Sequence, residues 1–176
     1  MKFTIANEIT EHYLENFKPF QLKSVVVSAG GFESGFSEPF LSMIDSGAKN
    51  TSISSKRMNA ILPDIRDKHG KPLQPIGTVK ARGVFGKERD SLVYVLPHFY
   101  LGNIHFTDLV VTVPESENYD CLIGRSILHQ CIATYDPNAD MMHFDFDARL
   151  KQSKQKILDI ATFGSVNLFA EFSASE

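Results

Sequence analysis

Phe40-Leu-Ser-Met-Ile44, followed at once by Asp45-Ser46-Gly47-Ala48, is the stretch on which the fold turns. An apolar run of strand length ends there in an aspartate. A carboxylate against an apolar strand is costly unless it caps a turn or does chemistry. Gly47 lets the backbone turn sharply, and Ala48 stays small. Taken alone, Asp-Ser-Gly reads as an Asx turn at a strand end. The flanks add more. Upstream, Ser24-Val-Val-Val-Ser28 is a β-branched run followed by the turn Gly30-Gly31, so paired strands feed the polar loop. Downstream, Thr51-Ser-Ile-Ser leads into Lys56-Arg-Met-Asn-Ala-Ile-Leu62, a run of good helix formers. Ser54 or Ser55 is its cap, and Pro63 closes it.

The rest of the chain continues mostly in strands. Residues 64–77 carry Gly70, Pro72, Pro75 and Gly77 and form a loop or short edge strands. Residues 78–82 alternate, Gly83-Val84-Phe85-Gly86 is a turn with an apolar tip, and residues 91–96 return as a strand. The chain turns again at Gly102-Asn103, and residues 106–113 make another apolar strand ended by Pro114. Cys121-Leu122-Ile123-Gly124 follows, then a short helix over 125–130. Residues 132–135 and 141–146 make a hairpin about the turn 136–139. At the ends, residues 8–17 form a short helix capped by Thr10 and stopped by Pro19. Residues 148–160 read as an amphipathic helix. The last residues are either a strand from Val166 or a disordered tail. The expected class is therefore all-β with short helices.

Bulk properties narrow the function. The 176 residues suit one domain with terminal extensions, and 43 % apolar content suits a globular core. A net charge of −3, with acids and bases intermixed, gives no nucleic-acid footprint. There is no run of signal-peptide or membrane-span length, so cytoplasmic location is the default expectation. Cys121 and Cys131 have neither CxxC nor zinc spacing and read as buried thiols in a reducing compartment. His12, His69, His98, His105, His129 and His143 show no HxxxH or HxH spacing, so neither a metal nor a cofactor is expected. Gly47 occupies the place where an aspartyl phosphotransferase carries its second acid. Ser46 lacks the Gly-x-Ser-x-Gly frame of a hydrolase nucleophile.

The order of these parts resembles the retropepsin-like aspartic peptidases. It runs catalytic loop, helix, apolar-tipped hairpin, apolar-apolar-Gly loop, short helix and final strand, and it covers residues 22–146. Residues 1–21 are then an N-terminal extension, and residues 147–176 a C-terminal helix and tail. The resemblance implies a closed β-barrel with short helices, working as a symmetric homodimer on an extended peptide or protein substrate. It implies that Asp45 is the catalytic carboxylate and that Ser46 braces the two active-site loops against each other. Gly47 and Ala48 would complete the loop, with Gly47 offering backbone groups to substrate. Leu122, Ile123 and Gly124 would support the loop from behind. Gly83, Val84, Phe85 and Gly86 would form the flap over the peptide. Two departures stand out. Lys49 lies where many retroviral members carry an acid that pairs with the arginine matched by Arg125, so Arg125 is expected to find another carboxylate, such as Asp120 or Asp136. Ser126 replaces the Asp or Asn usual in retroviral members.

A second Asp-Ser/Thr-Gly is absent: Asp64, Asp67 and Asp120 precede Ile, Lys and Cys, and Asp90 precedes Ser-Leu. Aspartic peptidases activate water between two carboxylates that share one proton, because like charges about 3 Å apart cannot both ionise. One aspartate per chain therefore implies two chains. The alternative is a non-catalytic module of the same fold that dimerises or holds an extended peptide.

Overall fold

A computed structural model describes residues 2–6, 21–82, 88–115, 119–139, 141–146 and 166–168. In chain order its elements are β1 (Lys2–Ala6), β2 (Gln21–Val27), β3 (Phe40–Ile44), β4 (Ser52–Ile53), α1 (Ser55–Ile61), β5 (Gly77–Arg82), β6 (Glu88–Leu101), β7 (Ile104–Val113), β8 (Cys121–Ile123), α2 (Arg125–Leu128), β9 (Cys131–Asp136), β10 (Met141–Phe146) and β11 (Val166–Leu168). The expected terminal helices at 8–17 and 148–160, and the flap tip at 83–86, lie outside the described residues. Among the described residues no helix is long and apolar enough to cross a membrane.

Six strands close on themselves. β6 pairs with β2, β2 with β3, β3 with β8, β8 with β4, β4 with β7, and β7 again with β6. A ring this small has no lumen, and side chains fill it. Phe99, Phe106, Leu96, Leu101, Ile104, Leu109 and Ile123 are all fully buried, and Phe40, Phe99 and Phe106 stack as tilted neighbours. Burying such side chains contributes about 1.5–3 kcal/mol each. The alternation along β7 puts Phe106 inside while its neighbour His105 is exposed, as a sheet with one wet face requires. β5 extends β6 outward, and β11 pairs with β5 on its far side. A separate three-stranded sheet runs in the order β1, β10, β9.

Ser54 caps α1: its side chain accepts a hydrogen bond from Arg57 N at 3.1 Å. This selects between the two serines that the sequence offered. Met58 and Ile61 face the core, and Pro63 lies in a 3-10 turn (Leu62–Asp64) that ends the helix.

β6 is longer than its sequence pattern suggested. Residues 91–96 read as a strand, yet the strand continues through Pro97 to Leu101. The ladder with β7 skips one rung, between Leu96↔Leu109 and His98↔Thr107. Pro97 has no N–H to donate there. Opposite it Asp108 adopts φ 52°, the one non-glycine positive φ among the described residues. The bend thus absorbs the missing bond, and aspartate tolerates the left-handed region better than most residues.

Asp108 is exposed, so its backbone conformation can be probed without disturbing the core. Asp108→Val should destabilise the fold by about 1–2 kcal/mol, whereas Asp108→Gly should leave it unchanged or firmer. Urea midpoints measure this; equal midpoints for the two variants would exclude strain at the bend.

Candidate active site

The parallel pairing of β3 with β8 builds the site. Its register is Ser42↔Cys121, Met43↔Leu122 and Ile44↔Ile123. The two strands therefore end together, with Asp45 following one and Gly124 the other. Asp45 N donates to Ile123 O at 3.0 Å, so the loop leaves the sheet with its first residue still fastened. Within the loop, Asp45 Oδ1 accepts a hydrogen bond from Gly47 N at 2.9 Å, and Asp45 O accepts one from Ala48 N at 3.2 Å. This is an Asx turn, and it fixes the orientation of the carboxylate. A Cβ on residue 47 would lie 3.1 Å from that same Oδ1, a tight approach that glycine avoids. Asp45 Oδ2 has no partner among the described residues. Asp45 is partly exposed, and Ser46 and Gly47 are exposed.

Behind this open front the loop is tied down. Ala48 O accepts from Arg125 N at 2.8 Å, and Lys49 O accepts from Ser126 N at 3.1 Å. Gly124 is packed so closely that a Cβ there would overlap the Asn50 carbonyl and lie 2.9 Å from Ala48 O. Glycine is the residue that permits this approach. Thr51, fully buried, completes the brace: Gly124 N donates to its Oγ1 at 3.2 Å, and its own N–H donates to Ser126 Oγ at 3.0 Å. The two hydroxyls also share a hydrogen bond of 2.9 Å.

The structure thus brings Asp45, Gly47, Ala48, Ile123 and Gly124 into one corner, with Leu122 half-buried on β8. The Ser46 hydroxyl makes no hydrogen bond among the described residues. Bracing inside the chain comes from Thr51 and Ser126, which the sequence reading did not assign. Their signal was faint: Ser126 stood out as a departure, and Thr51 was one polar residue in a polar run. Arg125 finds neither expected partner. Asp120 Oδ2 takes Arg57 at 2.8 Å, and Asp136 Oδ1 accepts from Asn138 N and Ala139 N in its turn. Arg57 also lies 5.7 Å above the Phe40 ring. Lys49, the other departure, is exposed.

Both cysteines are free. Cys121 is buried on β8, and burial pushes its thiol from 9.0 up to about 12; a hydrogen bond with Ser42 works the other way, and the Asp120 charge adds to the rise. Cys131, expected to be buried, is only partly so; burial raises it as well.

Two measurements probe this corner. Thr51→Val leaves the Gly124 N–H unpaired and removes the hydroxyl pair with Ser126, whose oxygen still accepts from the N–H of residue 51; this should cost about 1–3 kcal/mol. A Thr51→Val/Ser126→Ala double variant should lose less than the sum of the single losses, and strict additivity would disprove the coupling. The second concerns pH. The folded Cys121 keeps its proton between 9.0 and about 12 while the unfolded chain releases it. Stability contributed by this thiol is therefore intact below 9.0 and declines as pH rises toward 12. Cys121→Ala should flatten that part of the urea-midpoint profile, and an unaltered profile would show the thiol to be accessible.

No protein-family profile and no curated protein sequence matches the chain. Among solved structures, a retropepsin-like aspartic protease from Rickettsia conorii superposes with a TM-score of 0.50 at 15 % identity. The match covers 83 % of this chain and 91 % of that one. At such identity the likeness speaks to fold alone: the chain has the mostly-β, closed-barrel architecture of the retropepsin-like proteins.

Proposed function

We propose that the chain is one subunit of a cytosolic homodimeric aspartic endopeptidase in which Asp45 is the catalytic residue of each subunit. The observation that carries this reading is the state of Asp45. One carboxylate oxygen is held by the Gly47 N–H, and the other, on a partly exposed loop at the end of β3, has no partner among the described residues. The retropepsin-like barrel supports it, because the aspartate lies where β3 and β8 end together.

In the proposed dimer two copies of Asp45 meet across a two-fold axis and share one proton. The ionised carboxylate takes a proton from a water molecule, and the water oxygen attacks the scissile carbonyl carbon. The protonated carboxyl donates to the carbonyl oxygen, which gives a neutral gem-diol. Collapse of the diol returns a proton to one carboxylate and passes one to the amine that leaves. The Asx turn holds the carboxylate in place before substrate arrives, so little reorganisation is required. Ser46 braces the facing loops, and Gly47 offers backbone groups to an extended peptide. Leu122, Ile123 and Gly124 back the loop. Gly83, Val84, Phe85 and Gly86 form the flap; the antiparallel register Arg82↔Glu88 brackets that tip.

The deciding experiment compares wild type and Asp45→Asn on an unfolded protein substrate from acid to neutral pH. Cleavage should fall by about 10²–10⁴-fold in the variant. Adding excess Asp45→Asn to wild type should also suppress activity, because mixed dimers hold a single carboxylate. Undiminished cleavage by Asp45→Asn would refute the assignment, and cleavage by neither protein would favour a non-catalytic peptide-holding module. Phe85→Asp should raise the KM, and identical kinetics would remove Phe85 from the flap.

A further inference from the structure

On the exposed face of the β6–β7 hairpin, far along the strands from the Asp45 loop, two imidazoles meet. His98 and His105 lie seven positions apart in sequence, so no short spacing announces them. The register Tyr100↔His105 and His98↔Thr107 makes them diagonal neighbours on one face of the sheet. Their nearest nitrogens, His98 Nδ1 and His105 Nε2, are 2.9 Å apart. Both rings are positioned by other groups. Tyr100 stacks flat on His105, with centroids 4.4 Å apart and planes 2° from parallel. Phe32 packs against Tyr100 in turn, at 5.4 Å. His98 Nε2 lies 3.4 Å from the Ala29 carbonyl, which only accepts, so that nitrogen carries the proton. In the neutral ring the Nδ1 lone pair then points to His105.

We propose that His98 Nδ1 and His105 Nε2 form a two-nitrogen site for a square-planar divalent cation, Cu²⁺ foremost and Ni²⁺ next, with water in the remaining positions. Two metal–nitrogen bonds of about 2.0 Å at a right angle put the nitrogens about 2.8 Å apart, whereas tetrahedral geometry needs about 3.3 Å. The present 2.9 Å is that of a hydrogen bond between the rings; ligation turns both lone pairs toward one ion, and the right-angle spacing asks for the smaller change in separation. The hydrogen bond that His98 Nε2 donates to the Ala29 carbonyl, on the far side of the ligating nitrogen, is the usual outer contact that fixes tautomer and ring orientation. Binding requires His105 to move its proton from Nε2 to Nδ1, a tautomer change that releases no proton to solvent. Hard cations such as Mg²⁺ prefer oxygen ligands and should not bind.

The test titrates the full chain with Cu²⁺, Ni²⁺ and Mg²⁺ by calorimetry, together with His98→Gln, His105→Gln and, as a control, His69→Gln on an exposed turn. Wild type and His69→Gln should take one Cu²⁺ at micromolar concentration, and each of the other variants should bind at least about tenfold more weakly. Electron paramagnetic resonance of the wild-type copper complex should show two equatorial imidazole nitrogens. This readout stands even if a variant folds poorly. Copper binding that survives both His98→Gln and His105→Gln, or a spectrum without imidazole nitrogen, would overturn the site.

Discussion

The close approach of Gly124 to the carbonyls of Ala48 and Asn50 is the constraint on which the site depends. It exists because β3 and β8 run parallel and end at the same level. Parallel neighbours cannot be joined by a tight turn. The chain must therefore leave at Asp45, build β4, α1 and the long β5–β6–β7 excursion, and return at Cys121. Everything between those points determines whether two short strands meet in register. The two-residue β4 contributes out of proportion to its length. It pairs with β8 on one side and with β7 on the other, and so closes the ring.

What holds the corner is mostly neutral. Backbone bonds from Arg125 and Ser126 and the half-buried Thr51–Ser126 hydroxyl pair are short-range and join uncharged groups, so salt screens them little. The Arg57–Asp120 ion pair joins α1 to the segment entering β8. Its side chains remain partly exposed, and such pairs contribute little, about 1 kcal/mol or less. Lys49 in place of an acid thus fits a corner whose bracing comes from hydroxyl and backbone hydrogen bonds rather than from an ion pair through Arg125.

Much of this architecture was legible in the sequence. Apolar runs ending in Asp45 and in Gly124 could be recognised because each is a local pattern with a local physical reason. Ser54 as a cap and Pro63 as a stop were legible on the same grounds. What escaped detection depends on long separations. Thr51 and Ser126 touch across 75 positions, and neither periodicity nor propensity carries such a contact. The full length of β6 was missed because the strand read over 91–96 continues past Pro97 through pairing with β2 and β7, and the rung lost at the proline faces Asp108 at its positive φ. The His98–His105 meeting was hidden for a similar reason: the turn at Gly102-Asn103 was legible, but the strands read over 91–96 and 106–113 stop short of both histidines, whereas the ladder runs to the turn.

Rigidity behind the loop and openness in front of it have a consequence for the proposed pairing. A two-fold axis copies every error: if each Asp45 drifts outward by some distance, the separation of the two carboxyls grows by up to twice that distance. Proton sharing tolerates little such drift, because the coupling between the two groups falls away once they no longer touch. A homodimeric site therefore demands more of its supporting loop than a site in which one chain positions both groups. Fastening at both ends of the loop, at Asp45 N and at Ala48 O and Lys49 O, with a buried threonine beyond, limits that drift while the front remains exposed. Such an arrangement suits a half-site whose remaining half comes from an identical chain.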